Sequence, residues 1–229
     1  MPHRSAQASD GLCRPGTLTG HRMISPQQAL QRLKDGNRRF VENTQDRTAL
    51  ITQAHRHNLA EAGQQPFAII LGCADSRVPA EIVFDQGLGD LFVIRVAGNI
   101  VARSQIGSVE FAAEQYRTRL VVVLGHSSCG AILATVEELE HPSEQRSPNL
   151  DSIVDRIRPS VEPLMVPGQC QDHDDLVRQA VRANIRASVG QLRHGSAILE
   201  RLIDDNELMV VGAEYSLQTG VVDFSVCGL

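Results

Sequence analysis

The sequence predicts a single α/β domain with a central, mostly parallel β-sheet flanked by helices. Three observations predict it. Four short apolar runs, at residues 67–71, 91–96, 120–124 and 208–213, are rich in β-branched residues and barely alternate. Strands buried on both faces read this way. Helical patterns lie between the later runs, and strands alternating with helices build a parallel sheet. The chain, 229 residues at 42% hydrophobic, is long enough for one core of that kind.

Taken in order, residues 1–22 mix Pro, Gly, Ser, His and Arg without an apolar stretch. They read as a disordered arm rather than a signal peptide, and the domain is assigned to 23–229, with Met23 as an alternative start. Ser25-Pro26 is a helix opening: an N-cap followed by Pro at the first helical position. Ala29, Leu30, Leu33, Phe40 and Val41 then recur at roughly helical spacing. This gives an N-terminal helical arm over 26–40, whose apolar stripe needs a partner in its own core or in another subunit. Further helices are expected over 109–116, 131–139, 150–157, 176–192 and 196–203. Residues 221–226 follow the turn Gln218-Thr219-Gly220 and read as a last strand, antiparallel at the edge. The expected sheet is therefore four parallel strands plus one antiparallel edge strand. Residues 141–149 and 167–174 read as loops.

Composition narrows the function. A net charge of -5 offers no basic face for nucleic acid, and no apolar run is long enough to span a bilayer. Five cysteines are an odd number. They fit metal-binding or catalytic thiols in a reducing compartment better than a disulfide framework, so the expected location is the cytoplasm.

Two strands end in chemistry. The first leads into Leu71-Gly72-Cys73-Ala74-Asp75-Ser76-Arg77, the third into Leu124-Gly125-His126-Ser127-Ser128-Cys129-Gly130. Open α/β sheets place ligands at such carboxyl ends. If the two strands are neighbours, Cys73, His126 and Cys129 converge. Two thiolates and an imidazole form a set that zinc prefers, and three protein ligands leave a fourth position open, as in catalytic sites. Cys129 stands where a helix begins, which favours its thiolate. Asp75 is either a fourth ligand or the partner of Arg77, whose fork can hold a carboxylate by two charge-assisted bonds. Each piece alone is weak: a buried Cys is usually a small hydrophobe, and an Asp-x-Arg pair is usually a surface ion pair. Their joint position at the ends of core strands carries the reading.

Cys73-Ala74-Asp75-Ser76-Arg77 and His126-Ser127-Ser128-Cys129-Gly130 resemble the two signature motifs of the β-class carbonic anhydrases. Val78-Pro79-Ala80-Glu81, Gly89-Asp90-Leu91-Phe92-Val93-Ile94-Arg95 and Ala97-Gly98-Asn99 also match that family's pattern. The resemblance runs from about residue 24 to the C-terminal strand. It implies one Zn2+ per subunit on Cys73, His126 and Cys129, with Asp75 and Arg77 as a dyad beside it. It implies reversible hydration of carbon dioxide to bicarbonate and a proton through zinc-bound hydroxide. It implies a homodimer, paired into tetramers or larger, with the helix over 26–40 packed on the neighbouring subunit.

Single positions carry over. Gln64 matches a glutamine that donates to substrate, and Phe92 and Ala97 match apolar lining of the carbon dioxide pocket. Phe111 stands where the family usually has tyrosine, which implies a drier pocket. One subgroup holds regulatory bicarbonate with a Trp, an Arg and a Tyr; in this chain Ile70, Arg95 and Phe111 occupy those positions, so no such site is expected. Asp75 is then expected on Arg77 rather than on the metal at neutral to alkaline pH. Two thiolates cancel the metal's charge, so activity should rise with pH above 7. His194 and His141 are proton-shuttle candidates by residue type alone. Cys13, Cys170 and Cys227 have no partner at ligand spacing and read as incidental. His55 and His57, two apart on a helix, face different ways.

Rival readings share parts of this. Hydrolysis of carbon disulfide or carbonyl sulfide would keep the zinc and change the substrate. A non-catalytic zinc module would have no use for the Asp75-Arg77 dyad. A nucleotide-binding domain would need a Gly-rich phosphate loop, which is absent from the sequence.

Overall fold

A computed structural model describes residues 24–45, 52–142, 147–165 and 172–227. The arm expected over 1–22, Met23, Cys13 and Cys170 lie outside the described residues. The elements run α1 (Pro26–Val41), α2 (Gln53–Ala62), β1 (Ala68–Gly72), α3 (Ala80–Val83), β2 (Leu91–Arg95), α4 (Arg103–Gln115), β3 (Leu120–His126), α5 (Gly130–Glu140), α6 (Pro148–Val161), α7 (His173–His194), α8 (Ala197–Asp204), β4 (Met209–Tyr215) and β5 (Val222–Asp223).

The sheet order is β2-β1-β3-β4-β5. The first four strands are parallel and β5 is antiparallel, as the sequence predicts. Every residue of β1 and β3 is buried, which explains why neither strand alternates. One face is covered by α4 to α8, through Val109, Ile132, Ile157, Ile185 and Leu199 among others. The opposite face is covered by α1 and α3, through Leu33, Val83 and Phe84. No helix among the described residues is long and apolar enough to cross a membrane.

Within its own chain α1 already has a partner for its apolar stripe. Ser25 and Gln28 close the helix start as a reciprocal capping box, and Ala29, Leu30 and Leu33 are buried on the chain's own sheet. Asn37 locks the contact. Its Nδ2 donates to the carbonyls of Val83 at 3.1 Å and Gly220 at 2.8 Å, and its Oδ1 accepts from the Val222 N–H at 2.9 Å. Gly36 permits the close approach, since a Cβ there would run into the Phe84 carbonyl.

Several boundaries also differ, those of α4 and β5 among them. α4 starts six residues before the expected position 109, because its first turn, Arg103-Ser104-Gln105, carries no apolar signal. β5 spans two residues rather than 221–226. Asp223 Oδ1 accepts from the Ser225 N–H at 2.8 Å and from its hydroxyl at 2.7 Å, and the chain turns into a 3₁₀ segment, Ser225–Cys227.

Those two donors, first the hydroxyl and then the backbone N–H, hold the Asp223 carboxyl below its ordinary range, with the Arg182 charge adding to the effect. The stability it contributes is therefore present above the unfolded-state value of about 3.9 and fades as pH falls through the lower folded value. The stability difference between wild type and Asp223→Asn is expected to be larger at pH 6 than at pH 3, measured by denaturant unfolding at both. An equal difference at the two pH values would refute the sign.

Candidate metal centre

β1 and β3 are hydrogen-bonded neighbours, with Gly72 opposite Leu124. From β1 the chain goes on to β2 on one side, while β3 and β4 lie on the other. The carboxyl ends of β1 and β3 therefore form the switch point at which parallel sheets open a crevice. Cys73 follows β1 directly, His126 is the last residue of β3, and Cys129 is the N-cap of α5. Ser128 takes a left-handed φ of 53°, which turns the chain between the second and third of these residues.

The result is one cluster. Ligand atoms of Cys73, His126 and Cys129 all lie within 4.8 Å of one another, and the two sulfurs are 3.9 Å apart. All three residues are buried. The His126 tautomer follows from its surroundings. Nδ1 lies 3.0 Å from the Ser127 carbonyl, which can only accept, so Nδ1 carries the proton. Nε2 then presents a lone pair, and it is buried with no hydrogen-bond partner among the described residues. Metal-binding histidines are oriented in this way by their other nitrogen.

The thiols show the same incompleteness. Contact with Cys129 pulls the Cys73 thiol down, helped by His126 and by backbone N–H groups. The same contact, together with burial, pushes Cys129 up, although the N–H groups of Ala131 and Ile132 at the start of α5 oppose it. Two sulfurs this close share one proton; both ionise only around a positive charge. An orphaned imidazole nitrogen and two thiols in need of a cation fit zinc, and the S₂N donor set is borderline-soft as zinc requires.

Asp75 borders the cluster, with Oδ2 3.9 Å from His126 Nε2. Arg77 grips it through Nε to Oδ1 at 2.9 Å and an Nη to Oδ2 at 2.6 Å, and the Arg77 backbone N–H adds a third bond to Oδ1 at 2.9 Å. The Arg77 side chain is the main reason that the Asp75 carboxyl stays well below the usual carboxylate range. Arg77 also reaches the Ser128 carbonyl at 3.4 Å, which ties the two ligand-bearing loops together. Arg95 clamps the first loop from beneath, donating to the carbonyls of Cys73 at 3.1 Å and Asp75 at 2.5 Å.

This arrangement of strand ends, ligands and dyad is what the comparisons with known proteins match. A carbonic anhydrase family model covers residues 68–222. Carbonic anhydrase 2 of Mycobacterium tuberculosis is 38% identical over 196 residues, 86% of this chain and 91% of that protein. The chain belongs to the β-class carbonic anhydrase family. A Mycolicibacterium smegmatis carbonic anhydrase is 36% identical over 206 residues, 87% of this chain and 93% of that protein. Among solved structures, a β-carbonic anhydrase from Sordaria macrospora, one of two described as tetrameric, shares the fold at a TM-score of 0.65 and 23% identity, over 77% of this chain and 89% of that one. The Coccomyxa enzyme, solved with acetazolamide, does so at 0.63 and 24%, over 86% of each chain. Carbonic anhydrases are lyases, carbonate dehydratases by reaction, and the chain is assigned to that enzyme class.

Not every residue matched to the β-carbonic anhydrase pattern sits at the cluster. Ala97 does: it opens a 3₁₀ turn, Ala97–Asn99, whose Gly98 N–H points at Cys73 Sγ from 3.4 Å. Gln64, Phe92 and Phe111 do not. Phe92 lies opposite Ile69, four residues before Cys73, or about 13 Å along the strand. Phe92 and Phe111 instead group with Tyr116, ring centroids 5.7–6.3 Å apart, and the Gln64 amide donates to the Tyr116 hydroxyl at 3.0 Å. Phe111 is 52% exposed, so within one chain it is half in water rather than lining a dry pocket. The cause is that β2 is an edge strand among the described residues, with no further strand beside it. Tyr116 is a member of this group that the motifs do not mark; its only signal in the sequence is its place at the end of an apolar stripe.

The remaining histidines lie elsewhere. His194 ends α7, about 15 Å along the helix from Asn184, whose amide donates to the Gly98 carbonyl next to the cluster, and His141 caps α5 about 18 Å from Cys129. Neither reaches the cluster in its own chain. His55 sits 2.9 Å from the Leu88 carbonyl and His57 3.3 Å from Glu61, so they share no partner. Cys227 is half-buried and free.

Proposed function

We propose that this protein hydrates carbon dioxide reversibly to bicarbonate and a proton, with one zinc ion per subunit held by Cys73, His126 and Cys129. The observation that carries the proposal is the meeting of two thiols and an orphaned imidazole nitrogen within 4.8 Å, beside a carboxylate whose two oxygens are engaged by one arginine. Zinc in such a site supplies Lewis acidity that turns water into a nucleophile near neutral pH, the chemistry for which carbonic anhydrases are the standard illustration.

The chain's own groups do the rest. Asp75, ionised throughout the working pH range, accepts the O–H of the attacking water and so aims its lone pair at carbon. Arg77 keeps the carboxylate charged and oriented, and it leaves Asp75 a neighbour of the metal rather than a fourth ligand. Ala97 offers an apolar wall to a neutral, apolar substrate. Gln64, Phe92 and Phe111 are too far away to serve their own chain's metal, so any role they have toward substrate requires a neighbouring subunit.

A homodimer fits that requirement. The β2 edge, with half-exposed side chains and an exposed Phe111, is the kind of surface a second copy covers, and the tetrameric Sordaria relative supports further pairing. A cytoplasmic setting belongs to the same proposal, because two metal-binding thiols must stay reduced.

The test is stopped-flow carbon dioxide hydration on purified protein, with metal analysis and a parallel assay of hydrogen sulfide release from carbon disulfide. Stoichiometric zinc with fast hydration, rising above pH 7, is expected. A zinc-free preparation at full rate, or sulfide release without hydration, would overturn the proposal.

A further inference from the structure

α7 carries two polar residues inside its apolar stripe. Asn184 and Ser188 stand one turn apart, each 2% exposed, among the buried Ala180, Val181, Ile185 and Val189. Burying an amide and a hydroxyl there is unfavourable unless each is hydrogen-bonded, and each is. Asn184 Nδ2 donates to the Gly98 carbonyl at 2.8 Å, and Ser188 Oγ donates to the Asn99 carbonyl at 3.1 Å. Both bonds end on the Ala97–Asn99 turn.

That turn needs holding. Gly98 and Asn99 both have left-handed backbones, φ 67° and 42°, a region that glycine enters freely and asparagine more readily than other residues but still at some cost. The turn is wedged on the other side as well. A Cβ on Gly98 would stand 2.8 Å from Ile157 of α6 and 3.1 Å from Ala131 of α5. What the turn presents is the Gly98 N–H, aimed at Cys73 Sγ from 3.4 Å, where the Asp75 N–H also donates at 3.4 Å. The same turn abuts the strand of the second ligand: Asn99 Oδ1 lies 3.5 Å from where a Cβ on Gly125, the residue before His126, would stand.

We infer that Asn184 and Ser188 are positioning residues for the metal centre. They clamp the two carbonyls of the Ala97–Asn99 turn so that its Gly98 N–H stays on the Cys73 sulfur and Ala97 stays beside the cluster. The inference rests on the reading of Cys73, His126 and Cys129 as zinc ligands. It adds a polar clamp, reaching from a helix on the far side of the turn, that governs how the Cys73 thiolate is held. Hydrogen bonds to a ligating sulfur tune its basicity, and outer partners of ligands typically change metal affinity by about 10–100-fold.

The experiment compares full-length wild type, Asn184→Leu, Ser188→Ala and Leu192→Ala. Zinc affinity is read by chelator competition, and the cobalt-substituted proteins by their thiolate-to-metal charge-transfer absorption. Asn184→Leu is expected to weaken zinc binding by about 10–100-fold and to shift the charge-transfer bands. Ser188→Ala should move both readouts the same way by less, and as a small truncation it keeps the test alive if Asn184→Leu does not fold. Leu192, fully buried and about 12 Å further along the helix, is the stability control: its truncation should lower the melting temperature and leave both metal readouts unchanged. Wild-type affinity and spectra in both clamp variants would overturn the inference alone, as would an equal spectral shift in Leu192→Ala. Failure of wild type itself to bind zinc would overturn the ligand reading and the inference with it.

Discussion

Cys73→Ser is expected to lose its zinc and, with it, carbon dioxide hydration. The substitution exchanges one atom, sulfur for oxygen, at a site 4% exposed, so packing changes little. The backbone N–H groups of Asp75 and Gly98, which now donate to the sulfur, can donate to a hydroxyl. The apo fold should therefore survive. What changes is acidity: a thiol in contact with Cys129 and His126 ionises readily, whereas an alcohol does not. Two charged sulfurs become one, and zinc faces a poorer set of donors. Affinity should fall by more than about a hundredfold, beyond the range for losing an outer partner, and hydration should fall at least as far. Zinc binding to the folded state raises wild-type stability by roughly 4 kcal/mol at a thousandfold excess over Kd, so added zinc should raise the melting temperature of wild type and not that of Cys73→Ser. Metal stoichiometry, stopped-flow rates and zinc-dependent melting check the three statements. A variant with a full complement of zinc and wild-type rate would remove Cys73 from the site.

The residues behind this prediction are legible in the sequence itself. Ile69, Ile70, Leu71 and residues 120–124 are all fully buried, and strands buried on both faces leave an unbroken apolar run. Their ends are legible for the same reason: Cys73 and His126 interrupt such runs with residues that do not belong there. The convergence of Cys73, His126 and Cys129 needs one further fact, that β1 and β3 are adjacent, which the topology supplies.

Other features depend on information that no local pattern holds. The partner of α1 turns on Asn37, a polar residue that looks like part of a solvated face and is 5% exposed. The separation of Phe92 from Cys73 is a matter of register along two strands, and the motifs conceal it. Asn184 and Ser188 are accessible in principle: they fall at i and i+4 within the stripe of Ala180, Val181, Ile185 and Val189. Polar residues in an apolar stripe signal buried partners, but the sequence does not say which.

Asp75→Asn separates chemistry from metal binding, because it removes charge and keeps shape. The wild-type carboxylate accepts from Arg77 through both oxygens. An amide offers one oxygen and one NH₂, so in either orientation a donor meets a donor on the guanidinium, or Arg77 moves away. The variant then lacks the negative acceptor that orients water, and Arg77 sits beside the metal with its charge uncompensated. Cys73, His126 and Cys129 are untouched, so zinc should remain stoichiometric. The loss falls on the chemical step: kcat should drop by about 10²–10⁴-fold, the range for removing a positioned acid–base group, with KM little changed. Stopped-flow kinetics and metal analysis on one preparation decide between three roles. Retained zinc with a collapsed kcat identifies an acceptor of the reacting water. Lost zinc identifies a fourth ligand and overturns the role of Arg77 in holding Asp75 off the metal. Retained zinc with a rate within a few-fold of wild type leaves the carboxylate as a partner for Arg77 that only braces the two ligand loops, since Arg77 also reaches the Ser128 carbonyl.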